Sequence, residues 1–359
     1  MAASGKIAWA IFLALLGVNG IDISNVHDVY EENEPSLNFL AIGDWGSDPN
    51  STDEIAVARG MGIVGKELNV DFVTLLGDNF YSAGIHGDEY SPRFQETFES
   101  VFSAESLQDI PFYAIAGNHD HMGNVSAQIE YTKHSTRWTY PQPWYSVKKT
   151  FGTGEAERTL EILFIDTVIF AGESEGENGE QLQGDEYPGA LDAQLAGTQF
   201  KWLSDSMKHS TADYLLVAGH YPVYSIGQHG PTLLLKLLLK PLLERYGAHY
   251  LCGHDHDLEH IEEPGSTTQY FLSGAGGAGC CYNAKNEKKV PEGSIKFAAV
   301  GPKGSSYQKM PFPLLGGFVS LRFGQETFKA VYHAHNSTEI YSTVDIPRRN
   351  IATIKETSS

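Results

Sequence analysis

Short apolar runs recur along the chain, and five of them end in glycine followed at once by a polar residue able to bind a metal or phosphate. They are Leu37–Ile42 before GDWG, Val70–Leu76 before GDN, Phe112–Ala116 before GNHD, Tyr214–Ala218 before GHYP, and Tyr250–Cys252 before GHDH. A sixth run, Leu163–Ile165, leads into Asp166-Thr167. Runs of this length bounded by glycine read as buried strands. Helices are expected between them. Thr52 can cap one through about Leu68, and Ser91 can cap another through about Val101, with Pro92 at its first position. Residues 191–208 form a third, with Leu191, Leu195 and Trp202 in one narrow stripe and Leu203 at its edge. Strands alternating with helices predict an α/β fold. Thr268–Leu272, Gly317–Phe323 and Thr327–Ala334 read as strands without long helices between them, which predicts a second sheet in residues 268–335. The expected architecture is two packed mixed β-sheets flanked by helices, with surface loops at 171–190 and 274–311.

The first residues change the picture of where the chain works. Lys6 precedes an unbroken apolar run of ten residues, Ile7–Leu16, and small residues follow at Gly17–Gly20. This is about half of what a bilayer-spanning helix needs. Residues 1–20 therefore read as a secretory signal peptide, the alternative being a membrane-associated or buried N-terminal helix. Residues 21–35 are a polar lead-in, 36–347 the main domain and 348–359 a tail. No later run spans a membrane, since Leu233–Leu243 is broken by Lys236, Lys240 and Pro241. Sequons at Asn50, Asn124 and Asn336 agree with export. With 25 basic against 45 acidic residues the formal charge is −20, which disfavours nucleic acid and anionic membranes but not a small anion held by a metal. The three cysteines exclude a disulfide-dense scaffold. Cys252 reads as a buried thiol. Cys280 and Cys281 are adjacent, and Cα atoms about 3.80 Å apart disfavour a bridge between them. Intermolecular pairing, metal capture and free thiols are the expectations that stay open.

The strand ends carry Asp44, Asp78, Asn118-His119, His220 and His254-x-His256. If the strands share one sheet, their C-terminal ends meet at one edge, where open α/β sheets place ligands. Carboxylates, an amide and imidazoles suit ions of intermediate hardness, and so many donors exceed what one tetrahedral ion uses. Two neighbouring ions sharing a carboxylate suit phosphoryl transfer, because they neutralise phosphate oxygens and turn bound water into hydroxide. In an extended GHDH both histidines face the same way and Asp255 faces the other.

These motifs, GDWG (43–46), GDNFY (77–81), GNHD (117–120), AGHYPVYS (218–225) and GHDH (253–256), together with RFQETFE (93–99) and GNHDHMGNVSAQI (117–129), resemble the calcineurin-like metallophosphoesterases. Within them the chain resembles the mammalian-type purple, or tartrate-resistant, acid phosphatases over residues 36–347. The resemblance implies a four-layer sandwich and an acid phosphatase acting on phosphate monoesters: small molecules, nucleotides or phosphoproteins. It implies Asp44, Asp78, Tyr81 and His256 as ligands of Fe(III), with Asp78 bridging. Asn118, His220 and His254 would complete a site for Fe(II), Zn(II) or Mn(II). It also implies His119 and His229 as the substrate-side histidines, Asp120 and Asp255 as orienting residues, and a secreted or lysosomal monomer. A dimetal phosphodiesterase or nucleotide phosphohydrolase is the enzyme alternative, and a non-catalytic metal- or iron-binding protein the other. One departure stands out. The family's loop near the active site is closed by a disulfide, whereas residues 171–190 hold no cysteine and are crowded with Glu and Asp.

Overall fold

The computed structural model describes residues 35–172, 191–301 and 313–351. The expected signal peptide, the lead-in through residue 34, nearly all of the acidic 171–190 stretch and most of the tail lie outside the described residues.

The first sheet runs β14-β13-β12-β1-β2-β3-β4, from β1 (Leu37–Ile42), β2 (Phe72–Leu75), β3 (Phe112–Ala114), β4 (Trp138–Thr139), β12 (Gly317–Phe323), β13 (Thr327–Ala334) and β14 (Glu339–Ser342), with β15 (Ile346–Pro347) pairing β13. The second runs β11-β9-β10-β8-β7-β6-β5, from β5 (Tyr145–Phe151), β6 (Arg158–Phe164), β7 (Tyr214–Ala218), β8 (His249–Cys252), β9 (Leu258–Glu262), β10 (Gln269–Ser273) and β11 (Ile295–Ala299). Each sheet is mixed. Strands β1 to β4 pair in parallel, as do β6, β7, β8 and β10, while the outer pairings are antiparallel.

Side-chain alternation separates the layers. In β7, Tyr214, Leu216 and Ala218 join the core shared with β1, β2 and β12, whereas Leu215 and Val217 face the helix side. Phe39 of β1 stacks on Phe72 at 4.6 Å, and Tyr214 meets Phe323 edge-on at 5.0 Å, so aromatic rings join the two sheets. A fully buried ring such as Phe39 contributes roughly 1.5–3 kcal/mol relative to exposure.

Several expectations need correction. The five glycine-ended strands do not share a sheet: β1, β2 and β3 belong to one, β7 and β8 to the other. Nor do residues 268–335 make a sheet of their own. β10 joins β8, while β12, buried along nearly its whole length, pairs antiparallel with β1 in the first sheet. Helix α1 (Thr52–Leu68) has the expected span, but its cap is Ser51, whose hydroxyl accepts the Glu54 N–H. The helix expected from Ser91 closes early, as a π-helical turn at Phe94–Glu99. Helix α2 (Asn118–His121) carries the GNHD residues, and α3 (Val125–Tyr131) follows. Helices α4 (Thr167–Ala171) and α5 (Ala193–His209) flank the second sheet. On α5 the buried line is Gln199, Leu203 and Met207, and Leu191 and Leu195 are exposed. Gln199 takes the inner face because its amide bonds both the N–H and the C=O of Asp166. The 274–311 stretch, expected as loop, contains β11.

Cys252 is a buried free thiol. Cys280 and Cys281 are joined to each other by a disulfide, contrary to expectation. The bridge links residues adjacent in sequence, with Cα atoms 3.0 Å apart.

Candidate metal centre

The turns after β1, β2, β3, β7 and β8 converge from both sheets. Asp44, Asp78 and His254 sit in the left-handed backbone region, at φ 57, 51 and 74°. Asp and His tolerate that region better than most residues, and such positions concentrate at functional sites. Gly77, at φ +91°, turns the chain directly ahead of Asp78, and a side chain on Gly253 would run into the Asp44 carboxylate. Trp45 is buried among Phe80, Phe98, Phe102 and Trp138 and donates to Asn79 Oδ1 at 3.1 Å, tying the GDWG turn to the GDN turn. Arg93 adds a second tie, donating to the carbonyls of Ser47 at 2.8 Å and Tyr81 at 3.0 Å.

The Tyr81 hydroxyl lies 3.0 Å from Asp44 Oδ1, 2.9 Å from Asp78 Oδ2 and 2.9 Å from His256 Nε2. On the other side of Asp78, His220 Nε2 lies 3.4 Å from Asp78 Oδ2 and 3.0 Å from Asn118 Oδ1. The His254 ring stands 5.0 Å from that of His220, and the His254 backbone N–H donates to Asp44 Oδ2 at 2.7 Å. All seven residues expected as ligands thus meet in one place. Asp44, Asp78 and His220 offer ligand atoms within 4.8 Å of one another, a buried cluster able to hold a metal ion.

The hydrogen count tests the fit. His220 Nδ1 faces the Leu76 carbonyl at 2.8 Å, and His256 Nδ1 faces that of Gly279 at 3.1 Å. A carbonyl only accepts, so each Nδ1 carries the ring hydrogen, and in the neutral rings both Nε2 atoms present lone pairs to the site. One phenolic hydrogen on Tyr81 then faces three acceptors. At His220 a neutral ring would turn a lone pair to two further acceptors, Asp78 and Asn118, which is why this ring takes up positive charge. Crowded buried acceptors short of hydrogens are what a cation satisfies.

Charge tells the same story. Burial pushes Asp44 well above the usual carboxylate range against the pull of His220. Burial acts on Asp78 likewise, but His220 and then His119 outweigh it and hold Asp78 low. His220 is pushed up to about 9: burial opposes the charged ring, and the Asp78 and Asp44 carboxylates override it. The pocket demands positive charge beside these two acids. His256 drops to about 4 mainly through burial, and His254 falls further through burial and the neighbouring imidazoles. Both rings are therefore neutral lone-pair donors. Burial, then Asp44, Asp78 and Tyr282, raise the Tyr81 phenol well above its ordinary value.

The expected substrate-side histidines flank this cluster. The His119 ring lies 4.5 Å from that of Tyr81 and tilted to it, with Nε2 3.9 Å from Asp78 Oδ2, and Nδ1 held on the Ser82 carbonyl at 2.6 Å. His229 is buried 4.2 Å from the His254 ring. Its loop is clamped by acids. Asp255 accepts the N–H groups of His229 at 2.8 Å and Gly230 at 3.0 Å, and Glu259 accepts that of Ile226 at 3.0 Å. Asp120 accepts from the backbone N–H groups of Asn79 and Gly117. Sequence reasoning missed Glu259, missed the pairing of His121 with buried Asp166 at 2.7 Å, and missed Tyr282, which stacks on His256. Glu259 lies in a strand that reads Leu-Glu-His-Ile-Glu, where no apolar run marks it as buried. Tyr282 sits in a glycine-rich turn and gave no signal either.

Comparison with known proteins agrees with this geometry. The calcineurin-like phosphoesterase family model matches residues 37–258. The chain is 40% identical over 320 residues to tartrate-resistant acid phosphatase type 5 of Mus musculus, covering 88% of this chain and 91% of the mouse protein. It is 32% identical to purple acid phosphatase 17 of Arabidopsis thaliana, covering 84% and 82%. Among solved structures, that described as GAP50, the anchor in the inner membrane complex of Plasmodium, superposes with a TM-score of 0.71 at 20% identity, covering 90% of this chain and 95% of that one, a likeness of fold. The chain belongs to the calcineurin-like phosphoesterases and, within them, to the family of tartrate-resistant and purple acid phosphatases.

Proposed function

We propose that this chain is an acid phosphatase that hydrolyses phosphate monoesters at a dinuclear Fe(III)–M(II) centre. The observation that carries the reading is the meeting of six donor residues around Asp78 in a buried pocket that is short of hydrogens and calls for positive charge. Asp44, Asp78, Tyr81 and His256 would hold the ferric ion. Asp78 would be shared, and Asn118, His220 and His254 would hold the second ion, Fe(II), Zn(II) or Mn(II). When bound, such a pair neutralises phosphate oxygens and supplies hydroxide at low pH.

The remaining chemistry belongs to the chain. His119 donates its Nδ1 hydrogen to the Ser82 carbonyl, which leaves Nε2 as the atom that exchanges a proton on the site side. Protonated, that nitrogen can donate to the departing alkoxide or phenoxide, and His229 is the second candidate donor. Donation of a proton from an imidazolium to the leaving oxygen is chemistry suited to acid. Asp255 positions His229 through its backbone. No helix among the described residues is long and apolar enough to cross a membrane. Asn50, Asn124 and Asn336 are exposed, as glycan acceptors in a secreted or lysosomal monomer would be. Small phosphomonoesters, nucleotides and phosphoproteins are the substrate classes expected.

The test joins elemental analysis, a visible spectrum and acid monoesterase assays on one sample. Two metals per chain, at least one of them iron, and a broad visible band are expected, with the band lost in Tyr81→Phe while the fold persists. A band that persists in that variant overturns the Tyr81 assignment. Two metals without iron or colour would favour a phosphodiesterase, and a protein that takes up no metal would sink the enzyme reading.

A further inference from the structure

Asp166 and Thr167, where β6 gives way to α4, lie outside the donor set. Yet these two consecutive residues, both fully buried, touch two turns that carry donors. Asp166 Oδ2 accepts from His121 Nε2 at 2.7 Å, and His121 closes the four-residue helix α2 that opens with Asn118. The Thr167 hydroxyl accepts the backbone N–H of Tyr221 at 3.0 Å, and Tyr221 directly follows His220. On the other side of His220, a side chain on Gly219 would run into the Thr167 methyl group. One turn of the first sheet and one of the second are thus held by a single pair of neighbours.

The pair is itself fixed. Asp166 Oδ1 accepts the Ile169 N–H at 2.9 Å and caps α4. Its backbone N–H donates to Gln199 Oε1 at 2.8 Å, and its carbonyl accepts from Gln199 Nε2 at 2.9 Å. Helix α2 needs such support, because a single helical turn has little stability of its own. Asp120 holds its start by accepting the Gly117 N–H at 2.8 Å, and His121 holds its end. Between the two held turns, Asn118 Oδ1 lies 3.0 Å from His220 Nε2. These two atoms would both face the second ion. The donors assigned to the ferric ion are braced elsewhere. Arg93 holds the Tyr81 carbonyl, the His254 N–H holds Asp44, and the Gly279 carbonyl holds His256.

We infer that Asp166 is a positioning residue for the second, divalent ion: through His121 and with Thr167 it sets the spacing of Asn118 and His220 across the two sheets, and leaves the ferric side alone. This rests on the dinuclear reading above. Asp166 touches neither ion nor substrate, and acts only by where it holds the two turns.

The experiment titrates iron-loaded full-length protein with Zn(II) in competition with a chromophoric chelator. Iron content and the visible band are followed on the same samples. The variants are His121→Ala, His121→Gln and Thr167→Val. His121 is partly exposed, so its truncation is compatible with folding. His121→Ala is expected to weaken zinc binding about 10- to 100-fold, with iron content and band position unchanged. His121→Gln keeps a donor for Asp166 and should stay within about threefold of wild type. Thr167→Val loses only the hydroxyl acceptor and should weaken zinc about tenfold, again without touching iron. Wild-type zinc affinity in His121→Ala would overturn the inference. So would loss of iron together with zinc, or a shifted band, since the pair would then merely hold the sheets together. A Gln variant as weak as the Ala variant would also overturn it, because the hydrogen bond would not be what positions α2. Wild-type protein that binds no iron would instead break the underlying dinuclear reading, a separate outcome.

Discussion

The two sheets supply different chemistry to the candidate centre. Asp44, Asp78, Tyr81 and Asn118 follow β1, β2 and β3 of the first sheet, and each offers oxygen. His220, His254 and His256 follow β7 and β8 of the second, and each offers nitrogen. Each proposed ion takes oxygen from one sheet and nitrogen from the other. Neither sheet can build a metal site alone, so metal binding reports on the packing of one sheet against the other. The supports differ as well. The oxygen side is held by strained turns over a buried aromatic cluster and tied by Arg93. On the nitrogen side, the loop bearing His229 is held by the buried carboxylates Asp255 and Glu259.

The largest effect should come from the shared oxygen donor. Asp78→Ala is expected to lose both metals and about 10³-fold or more in kcat, since several kcal/mol of transition-state stabilisation go with them. His220→Ala, on the nitrogen side, should lose one metal and keep the other. Metal analysis of the two variants decides it, and equal losses would break the division between the sheets. A smaller effect is expected where the support of the nitrogen side is loosened. Asp255→Asn places an amide where a carboxylate accepts two backbone N–H groups and the Ser225 hydroxyl. Its kcat should fall about 10- to 100-fold with both metals retained, and steady-state kinetics beside metal content will show it. Unchanged kcat would mean that Asp255 does not position His229.

The smallest effect is on stability, on the oxygen side. Glu54, in the first turn of α1, is buried and pushed up to about 9 by burial despite Arg93. Unfolded, it would titrate near 4.5. Between these values the folded chain keeps a proton that the unfolded chain has released, so stability falls as pH rises through the window. The contribution is complete below about 4.5 and gone above about 9. Glu54→Gln should flatten that decline, read as denaturation midpoints at pH 5 and pH 8. A variant with the wild-type slope would rule Glu54 out as its source.

Much of this was legible before any coordinates. Leu37–Ile42, Tyr214–Ala218, Gly317–Phe323 and Thr327–Ala334 are strands as read, because short apolar runs between glycines have few other ways to be buried. The buried line on α5 was misread because Gln199 counts as polar in any periodicity, and only its bonds to Asp166 show why it faces inward. The Cys280–Cys281 bridge joins adjacent residues, a pairing that composition and spacing disfavour.

The sequence by itself determined the donors. The residue after each glycine is Asp, Asn or His whatever the topology, and donor chemistry belongs to the side chain. Only the tertiary structure decided which donors meet. β12 inserts beside β1 and β10 beside β8, so the two sets of turns face each other across a sheet-to-sheet boundary that no local pattern encodes. Tyr282, Glu259 and Asp166 take their places near the centre through contacts with residues far away in the chain or across a turn. The contacts of Tyr282 and Glu259 join turns and strands of the second sheet, and that of Asp166 with His121 exists only once the two sheets have packed.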